Sequence, residues 1–176
     1  VGARKQVYKA SMLSSGATGD ALWHKNAPER VTAGNARPDD GIYHFFTGDP
    51  GMADYDDKII KELAGENIKS IKNWRKSFTR PYDQNEIDQM KNLSDLVDKY
   101  FKKHAAVRSR LEFMVTDKLS VFGHEEMDKS NILKTTREKD EYYNKFYLSE
   151  EMQNAGPYAR LKFAMDYWCS LWFWPI

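Results

Sequence analysis

The last stretch of the chain is its most apolar segment, and it constrains the fold more than any other feature. Three of the five tryptophans lie there, at Trp168, Trp172 and Trp174, among leucines and phenylalanines. A helix of this composition is hydrophobic on nearly all of its faces and belongs in a protein core. We therefore expect residues 157–176 to form a helix that packs on residues 1–50 on one side.

The chain ends inside this apolar segment, whereas the end of a domain is usually polar and frayed. We expect the chain to be a piece of a longer protein, so that the outer side of the helix has lost its partner. An exposed apolar surface of this kind drives association. We accordingly expect a homodimer that forms through the C-terminal helix.

Composition bounds the class of protein. A chain of 176 residues can bury a core, and its net charge of +1 creates no overall field that would attract nucleic acid or a membrane. The single cysteine, Cys169, excludes an internal disulfide and fits a reducing compartment. There is no secretory signal, and no stretch is apolar and long enough to span a bilayer. We expect a soluble, cytoplasmic protein without a membrane partner.

Only one segment has the composition of a β-strand. Residues 41–46 are β-branched and aromatic, and glycine, aspartate and proline flank them on both sides. Short helices are plausible at residues 6–13 and 20–25. The sequence thus predicts a minor β element in an otherwise helical chain.

From Ala53 the apolar residues recur every three or four positions, which is typical of helices. Gly65 divides this stretch in two, and Pro81 ends it because the residue before proline avoids the helical region. Asp83 and Glu86 form a capping box for the next helix. That helix carries a heptad seam. The seam comprises Met90, Leu93, Val97, Tyr100, His104, Val107, Leu111 and Met114.

The predicted fold class is mainly α: a long antiparallel helical hairpin plus a C-terminal hydrophobic helix, with a minor β element near residues 41–46. The hairpin turns at residues 79–82, because so short a loop folds two helices back on each other. The predicted regions are residues 1–52 with short helices and the strand, 53–120 with the hairpin, 121–156 as an irregular polar connector, and 157–176 as the terminal helix.

Residues that could hold a metal ion do not have the required spacing. None of the four histidines forms an i, i+4 pair, so a zinc site has no support. Asp49, Asp54, Asp56 and Asp57 do not match a calcium loop, and they suit the acidic start of a helix. Pro38-Asp39 with Asp56-Asp57-Lys58 could be a nuclease pattern, but its second pair opens a helix rather than lying on a strand. No metal site is predicted.

The middle third of the chain is its basic part. Residues 57–120 contain fourteen Lys/Arg and ten Asp/Glu, a net charge of +4, whereas the flanking thirds are slightly acidic. One interpretation is a solvated outer face of the hairpin, since acidic residues interleave throughout. The other is a set of contacts to DNA phosphates. The candidate contacts are Lys69, Lys72, Lys76, Lys99, Lys102 and Lys103.

Four segments resemble parts of very large adenine-specific DNA methyltransferases, the single-chain enzymes of type IIG restriction–modification and of phage-defence systems such as BREX and DISARM. The segments are residues 43–55 (YHFFTGDPGMADY), 57–63 (DKIIKEL), 71–78 (IKNWRKSF) and 161–175 (LKFAMDYWCSLWFWP). The resemblance covers much of the chain from residue 41 onward. It implies that residues 42–46 form a late strand at the edge of a methyltransferase sheet, that the hairpin is an insertion, and that the terminal helix packs on the rest of the parent.

Such enzymes transfer a methyl group from S-adenosylmethionine to N6 of adenine, and an Asn-Pro-Pro-Tyr/Phe motif grips the flipped base. This chain has neither that motif nor the family's glycine-rich cofactor loop. The resemblance therefore implies S-adenosylmethionine and the remainder of the methyltransferase as cofactor and partner of the parent. It implies no catalytic or cofactor-binding residue here, and the chain alone should be inactive. The alternative is a stand-alone helical interaction module unrelated to methylation.

Overall fold

The computed structural model of the chain describes residues 6–14, 28–32, 34–55, 57–116, 122, 133, 135–149 and 154–173. The α-helices are α1 (Ala10–Ser14), α2 (Lys58–Leu63), α3 (Gly65–Phe78), α4 (Gln84–Val115), α5 (Thr136–Tyr147) and α6 (Pro157–Ser170). The strands are β1 (Gln6–Lys9), β2 (Glu29–Arg30) and β3 (Gly41–Tyr43), and short 3-10 helices span His44–Phe46 and Leu171–Phe173. The predicted class, mainly α with a minor β element, is confirmed.

The chain divides into two compact units. The first unit contains Val1–Leu96 and Ala164–Ile176, and the second contains Val97–Phe163. Both boundaries fall inside long helices, α4 and α6. Each of these helices therefore contributes to two units, which a division by linker composition could not reveal.

The three strands form one antiparallel sheet in the order β2-β1-β3. Val7 lies opposite Tyr43 and Tyr8 lies opposite Ile42. The helix predicted at residues 6–13 is therefore wrong in its first half, because pairing with β3 holds those residues extended, and only the second half is helical, as α1. The helix predicted at residues 20–25 lies outside the described residues.

The strand predicted at residues 41–46 ends after Tyr43. The backbone N–H and the hydroxyl of Thr47 both donate to the carbonyl of His44, at 3.0 and 2.7 Å. These bonds close a 3-10 turn over His44–Phe46. The turn ends the pairing with β1. It places the aromatic side chains that follow the strand within the first unit.

The helix boundaries around the middle of the chain follow the predicted signals. The helical stretch breaks at Ala64, immediately before Gly65, into α2 and α3. The predicted capping box is present: the N–H of Asp83 donates to the Glu86 carboxylate at 2.9 Å, and the N–H of Glu86 donates to the Asp83 carboxylate at 2.8 Å. Helix α4 accordingly begins at Gln84.

The predicted heptad seam of α4 is wrong at Leu93. Leu93 is 44% exposed, whereas the neighbouring Ser94 is fully buried. The Ser94 hydroxyl accepts the backbone N–H of Tyr43 at 3.2 Å and donates to the carbonyl of Met90 at 2.8 Å. A polar residue takes the buried position because strand β3 needs an acceptor for this N–H, a demand that an apolar pattern cannot register.

We expect Ser94→Ala to lower the free energy of unfolding by about 1–3 kcal/mol, because the buried N–H of Tyr43 would lose its acceptor. Leu93→Ala should cost about 1 kcal/mol or less, as for other surface positions. Urea denaturation of the two variants checks the order. A larger loss of unfolding free energy for Leu93→Ala than for Ser94→Ala would mean that Leu93 is buried, as the predicted heptad seam requires.

The described core contacts attach α3 and the start of α4 to different neighbours. Ile68 and Ile71 of α3 cluster with Ala53, whereas Ile87 and Met90 of α4 cluster with the sheet and α1. Helix α3 is therefore held by the loop that follows the sheet. The start of α4 is held by the sheet and α1. The pairing of α3 with α4 along a common seam is not among these clusters of described residues, and it stays a prediction.

The region predicted as an irregular connector, residues 121–156, contains helix α5. A capping box starts this helix, since Thr135 and Glu138 bond reciprocally to each other's backbone N–H. Arg137 and Glu141 then form an i, i+4 ion pair. The charged composition of α5 suits an exposed helix held by local bonds, so the polarity that predicted a connector was misleading.

Helix α6 begins at Pro157, as predicted, but only one of its sides is buried. Leu161 and Leu171 are buried, with Trp168 half-buried on the same face. Tyr167 and Phe173 remain 54% and 78% exposed. None of the described helices is long and apolar enough to cross a membrane.

Candidate functional site

Residues 47–54, here called the Gly48 loop, follow β3 and connect the sheet to the helices of the first unit. The backbone N–H of Gly48 donates to the Tyr82 hydroxyl at 2.9 Å, and that hydroxyl donates to the carbonyl of Phe78 at 3.0 Å. Burial raises the pKa of Tyr82, so its hydroxyl stays protonated and can donate. The loop is thus tied to the turn between α3 and α4.

Helix α3 holds the far end of the Gly48 loop. The Arg75 guanidinium donates to the carbonyl of Met52 at 3.3 Å and to the Asp54 carboxylate at 3.1 Å. Ala53, between them, is buried against Ile68 and Ile71. Its φ of 47° lies in the left-handed region, which non-glycine residues seldom adopt. Packing and the Arg75 bonds together keep the loop in this conformation.

Helix α6 binds the near end of the loop through its tryptophans. The indole N–H of Trp168 donates to the carbonyl of Thr47 at 3.0 Å. The same ring meets His44 edge to face at 5.2 Å and Trp172 at 5.7 Å. Trp172 in turn lies over Gly51, where a Cβ would be 3.2 Å from the indole ring. The predicted packing of the terminal helix on residues 1–50 is confirmed for this side.

His44 is fixed between the sheet and α6. Its Nδ1 lies 3.1 Å from the carbonyl of Gln6. Because a carbonyl can only accept, Nδ1 carries the proton in this contact. Burial lowers the pKa of His44, with the bond to Gln6 acting weakly in the opposite direction. The neutral ring is therefore favoured beside Trp168, where it serves as a packing and hydrogen-bonding group.

Three of the four sequence segments 43–55, 57–63, 71–78 and 161–175 meet at the Gly48 loop. Residues 43–55 supply the loop, residues 71–78 supply Arg75 and Phe78, and residues 161–175 supply the tryptophans. The fourth segment forms α2, which has no buried residue. Sequence reasoning missed Tyr82 and Arg75 as parts of this cluster, because no local pattern shows that they bond to a loop more than twenty residues away.

The acidic residues near the loop act as backbone acceptors. The Asp57 carboxylate caps α2 by accepting the N–H groups of Ile59 and Ile60 at 2.8 and 3.2 Å. Asp49 accepts the N–H of Gly51 at 2.7 Å. Asp56 lies outside the described residues. Among the residues that the structure describes, no three His, Cys, Asp or Glu side chains are grouped as metal ligands would be.

The histidine on the predicted seam is a packing residue. His104 lies on α4 with its ring 5.3 Å from that of Tyr158 at the start of α6. Its Nδ1 is buried and has no hydrogen-bond partner. Arg160 of α6 donates to the Tyr100 hydroxyl at 2.7 Å. In the second unit, α4 therefore packs on α6. His24 and His124 lie outside the described residues.

The second unit also contains an open pocket of about 610 Å³ between α5 and the start of α6. Its walls include the stacked rings of Tyr142 and Phe146. The Ser149 hydroxyl donates to the carbonyl of Phe146 at 3.2 Å, and Lys145 is the charged group in the wall. A serine engaged in this way and a lysine do not make a catalytic set.

The six lysines proposed as phosphate contacts fall into two groups of three. Lys69 and Lys76 are exposed on α3 with Lys72 half-buried between them, all in the first unit. Lys69 is paired with Glu66 at 2.7 Å. The other group lies on α4 in the second unit and is exposed. Its members are Lys99, Lys102 and Lys103.

Comparison of the sequence with protein-family models and with curated proteins, and of the structure with solved structures, gives no match.

Proposed function

We propose that this chain is a non-catalytic helical segment of an S-adenosylmethionine-dependent, adenine-specific DNA methyltransferase that acts in restriction–modification or phage defence in the cytoplasm. The observation that carries the proposal is the meeting of three resembling segments at the Gly48 loop. These segments are separated by up to about a hundred residues, yet hydrogen bonds and ring contacts connect them. Sequence similarity in segments that are distant along the chain has a physical reason when those segments pack on one another.

The role proposed for the chain is structural. The Gly48 loop holds the terminal aromatic helix on one side and α3 on the other, so it can fix the position of both relative to the sheet. The remainder of the methyltransferase is the partner, and it supplies the Asn-Pro-Pro-Tyr motif and the S-adenosylmethionine site that this chain lacks. Phe173, which is 78% exposed just after the end of α6, can then contact that partner.

The experiment that tests this proposal reads N6-methyladenine across the genome of the source organism with the gene intact and deleted. We expect deletion to remove the modification from one recognition sequence, and complementation with the full gene to restore it. The isolated 176-residue chain should neither restore it nor bind S-adenosylmethionine in calorimetry. An unchanged methylation pattern after deletion, or micromolar cofactor binding by the chain alone, would contradict the proposal.

The alternative is a stand-alone helical interaction module, and exposed apolar side chains favour it. Ile59 and Leu63, one turn apart on α2, are 65% and 82% exposed, and Phe173 is 78% exposed. In this alternative a homodimer forms through the outer side of α6. Trp172, considered from the sequence as a dimer contact, is half-buried against Gly51 instead. A gene-deletion strain with unchanged methylation, together with a dimer in light scattering, would favour the module.

A further inference from the structure

Charge is segregated along α4 at a sharp boundary. Its first part, residues 84–98, contains four carboxylates and one lysine. The next twelve residues, 99–110, contain five lysines and arginines and no carboxylate. A solvated protein surface normally intersperses charges of both signs. The second part is therefore distinct in composition, and it belongs to the second compact unit.

Four of the five cations of this part share one side of the helix. At 3.6 residues per turn, Lys99, Lys102, Lys103 and Arg110 lie within an arc of about 100° and extend over about 16 Å of the helix axis. The packed residues Val97, His104 and Leu111 point about 150° away from the centre of that arc. We call the cationic side the basic stripe. It consists of Lys99, Lys102, Lys103, Ala106 and Arg110, all of which are exposed.

The charges of the basic stripe are not neutralised by the described part of the protein. None of the described carboxylates forms an ion pair with Lys99, Lys102, Lys103 or Arg110. Arg108, on the opposite side of the helix, is by contrast paired with Glu112 at 2.7 Å. On α3, Lys69 and Arg75 are paired with Glu66 and Asp54. The stripe thus differs from Lys69, Arg75 and Arg108 in having cations available for an external anion.

The centre of the stripe is a small side chain. Ala106 is exposed between the lysines and Arg110, and Ser109 lies beside the edge of the arc. A surface without bulky groups lets another backbone approach the helix closely while the long cationic side chains reach out on either side. No aromatic side chain lies on this face, since Tyr100 and Phe101 belong to the half-buried sides. The arrangement suits contact with a charged backbone rather than stacking on bases.

We infer that the basic stripe binds the phosphate backbone of duplex DNA without sequence preference. Its length of about 16 Å corresponds to about five base pairs, given 3.4 Å per phosphate along each strand. A membrane surface is disfavoured because an interfacial helix needs apolar side chains on its lipid-facing side. A protein partner is disfavoured because lysine is depleted in protein interfaces. The inference rests on the proposed function only for the choice of DNA over RNA.

The test is the salt dependence of binding, measured by fluorescence anisotropy with the full 176-residue chain and labelled duplexes of two unrelated sequences. Four phosphate contacts predict a slope of about −3.6 for the logarithm of the binding constant against that of the salt concentration. Lys99→Gln with Lys103→Gln should reduce the magnitude of the slope by about 1.8. Both duplexes should behave alike. The substituted side chains are exposed, so circular dichroism should show unchanged folding.

The matched control is Lys69→Gln with Lys76→Gln on α3, which removes the same charge outside the stripe and should leave the slope nearly unchanged. Ala106→Glu should weaken binding relative to Ala106→Gln, because its carboxylate can pair with Lys103 and Arg110 along the helix. Any of three results would overturn the inference. They are equal slope changes for the two lysine pairs, no binding at low salt, and binding to phosphatidylserine vesicles but not to the duplex. None of these outcomes bears on genomic methylation, so the two proposals fail separately.

Discussion

Trp168→Ala should lower the free energy of unfolding by about 3 kcal/mol, at the low end of the range for tryptophan truncation because the side chain is half-buried. The change removes the edge-to-face contacts with His44 and Trp172 and the indole bond to the carbonyl of Thr47. It would also weaken the attachment of α6 to the Gly48 loop. Urea denaturation, followed by circular dichroism, measures the loss.

Trp168→Phe is the matched control, because it keeps an aromatic ring and removes the N–H. Trp168→Phe should lower the free energy of unfolding less than Trp168→Ala does. The difference between the two variants is the contribution of ring packing. If both variants lost about the same amount, the hydrogen bond to Thr47 would dominate the docking of α6. A loss below about 0.5 kcal/mol for Trp168→Ala, as at ordinary surface positions, would mean that α6 does not rest on the loop.

Gly48→Ala should lower the free energy of unfolding by about 1–3 kcal/mol through overpacking. A Cβ at this position would lie 2.7 Å from both the carbonyl oxygen and a ring carbon of Phe78. That carbonyl also accepts the Tyr82 hydroxyl, so it cannot move away without breaking the bond that ties the loop to the turn after α3. Thermal or urea unfolding measures the effect.

Gly65→Ala is the control for this substitution. A Cβ at Gly65 would have no neighbour within 4 Å. The position opens α3, where alanine is the better helix former, so stability should stay the same or rise by about 0.5–1 kcal/mol. If Gly48→Ala were as harmless as Gly65→Ala, the close approach of the Gly48 loop to Phe78 would be absent in solution.

Local signals predicted much of the helical structure. The capping box at Asp83 and Glu86 starts α4 where expected, and Pro157 starts α6, because both act within a few residues of themselves. The same kind of signal, Thr135 with Glu138, was present for α5 and was outweighed by the polarity around it. Helix ends are thus readable from short patterns when the capping residues are considered before composition.

Long-range pairing accounts for what the sequence did not reveal. Residues 6–9 have no strong alternation, and their pairing with β2 and β3 makes them a strand. Leu93 fits the heptad spacing better than Ser94, yet the serine is buried because Tyr43 presents an N–H there. Periodicity reports the face of a helix that can be apolar. It does not report a polar group on another element that needs a partner.

The candidate sites also combine features that composition predicts with features that depend on long-range contacts. The basic positions could be identified from composition, and the structure then separated paired cations such as Lys69 from unpaired ones such as Lys103. Arg110, a member of the basic stripe, is not among the six lysines predicted from the sequence as phosphate contacts, and the helix places it on the same side as Lys99 and Lys103. The cluster at the Gly48 loop depends on contacts between segments that are distant in the sequence, and no local pattern predicts such contacts.

The docking of α6 on the Gly48 loop is tested most directly by the indole N–H of Trp168 in the nuclear magnetic resonance spectrum, assigned by its disappearance in Trp168→Phe. Its bond to Thr47 and its contact with His44 predict slow exchange with solvent and a nuclear Overhauser effect to the His44 ring protons. Exchange as fast as that of a free indole, without any effect to His44, would contradict the convergence of the three segments.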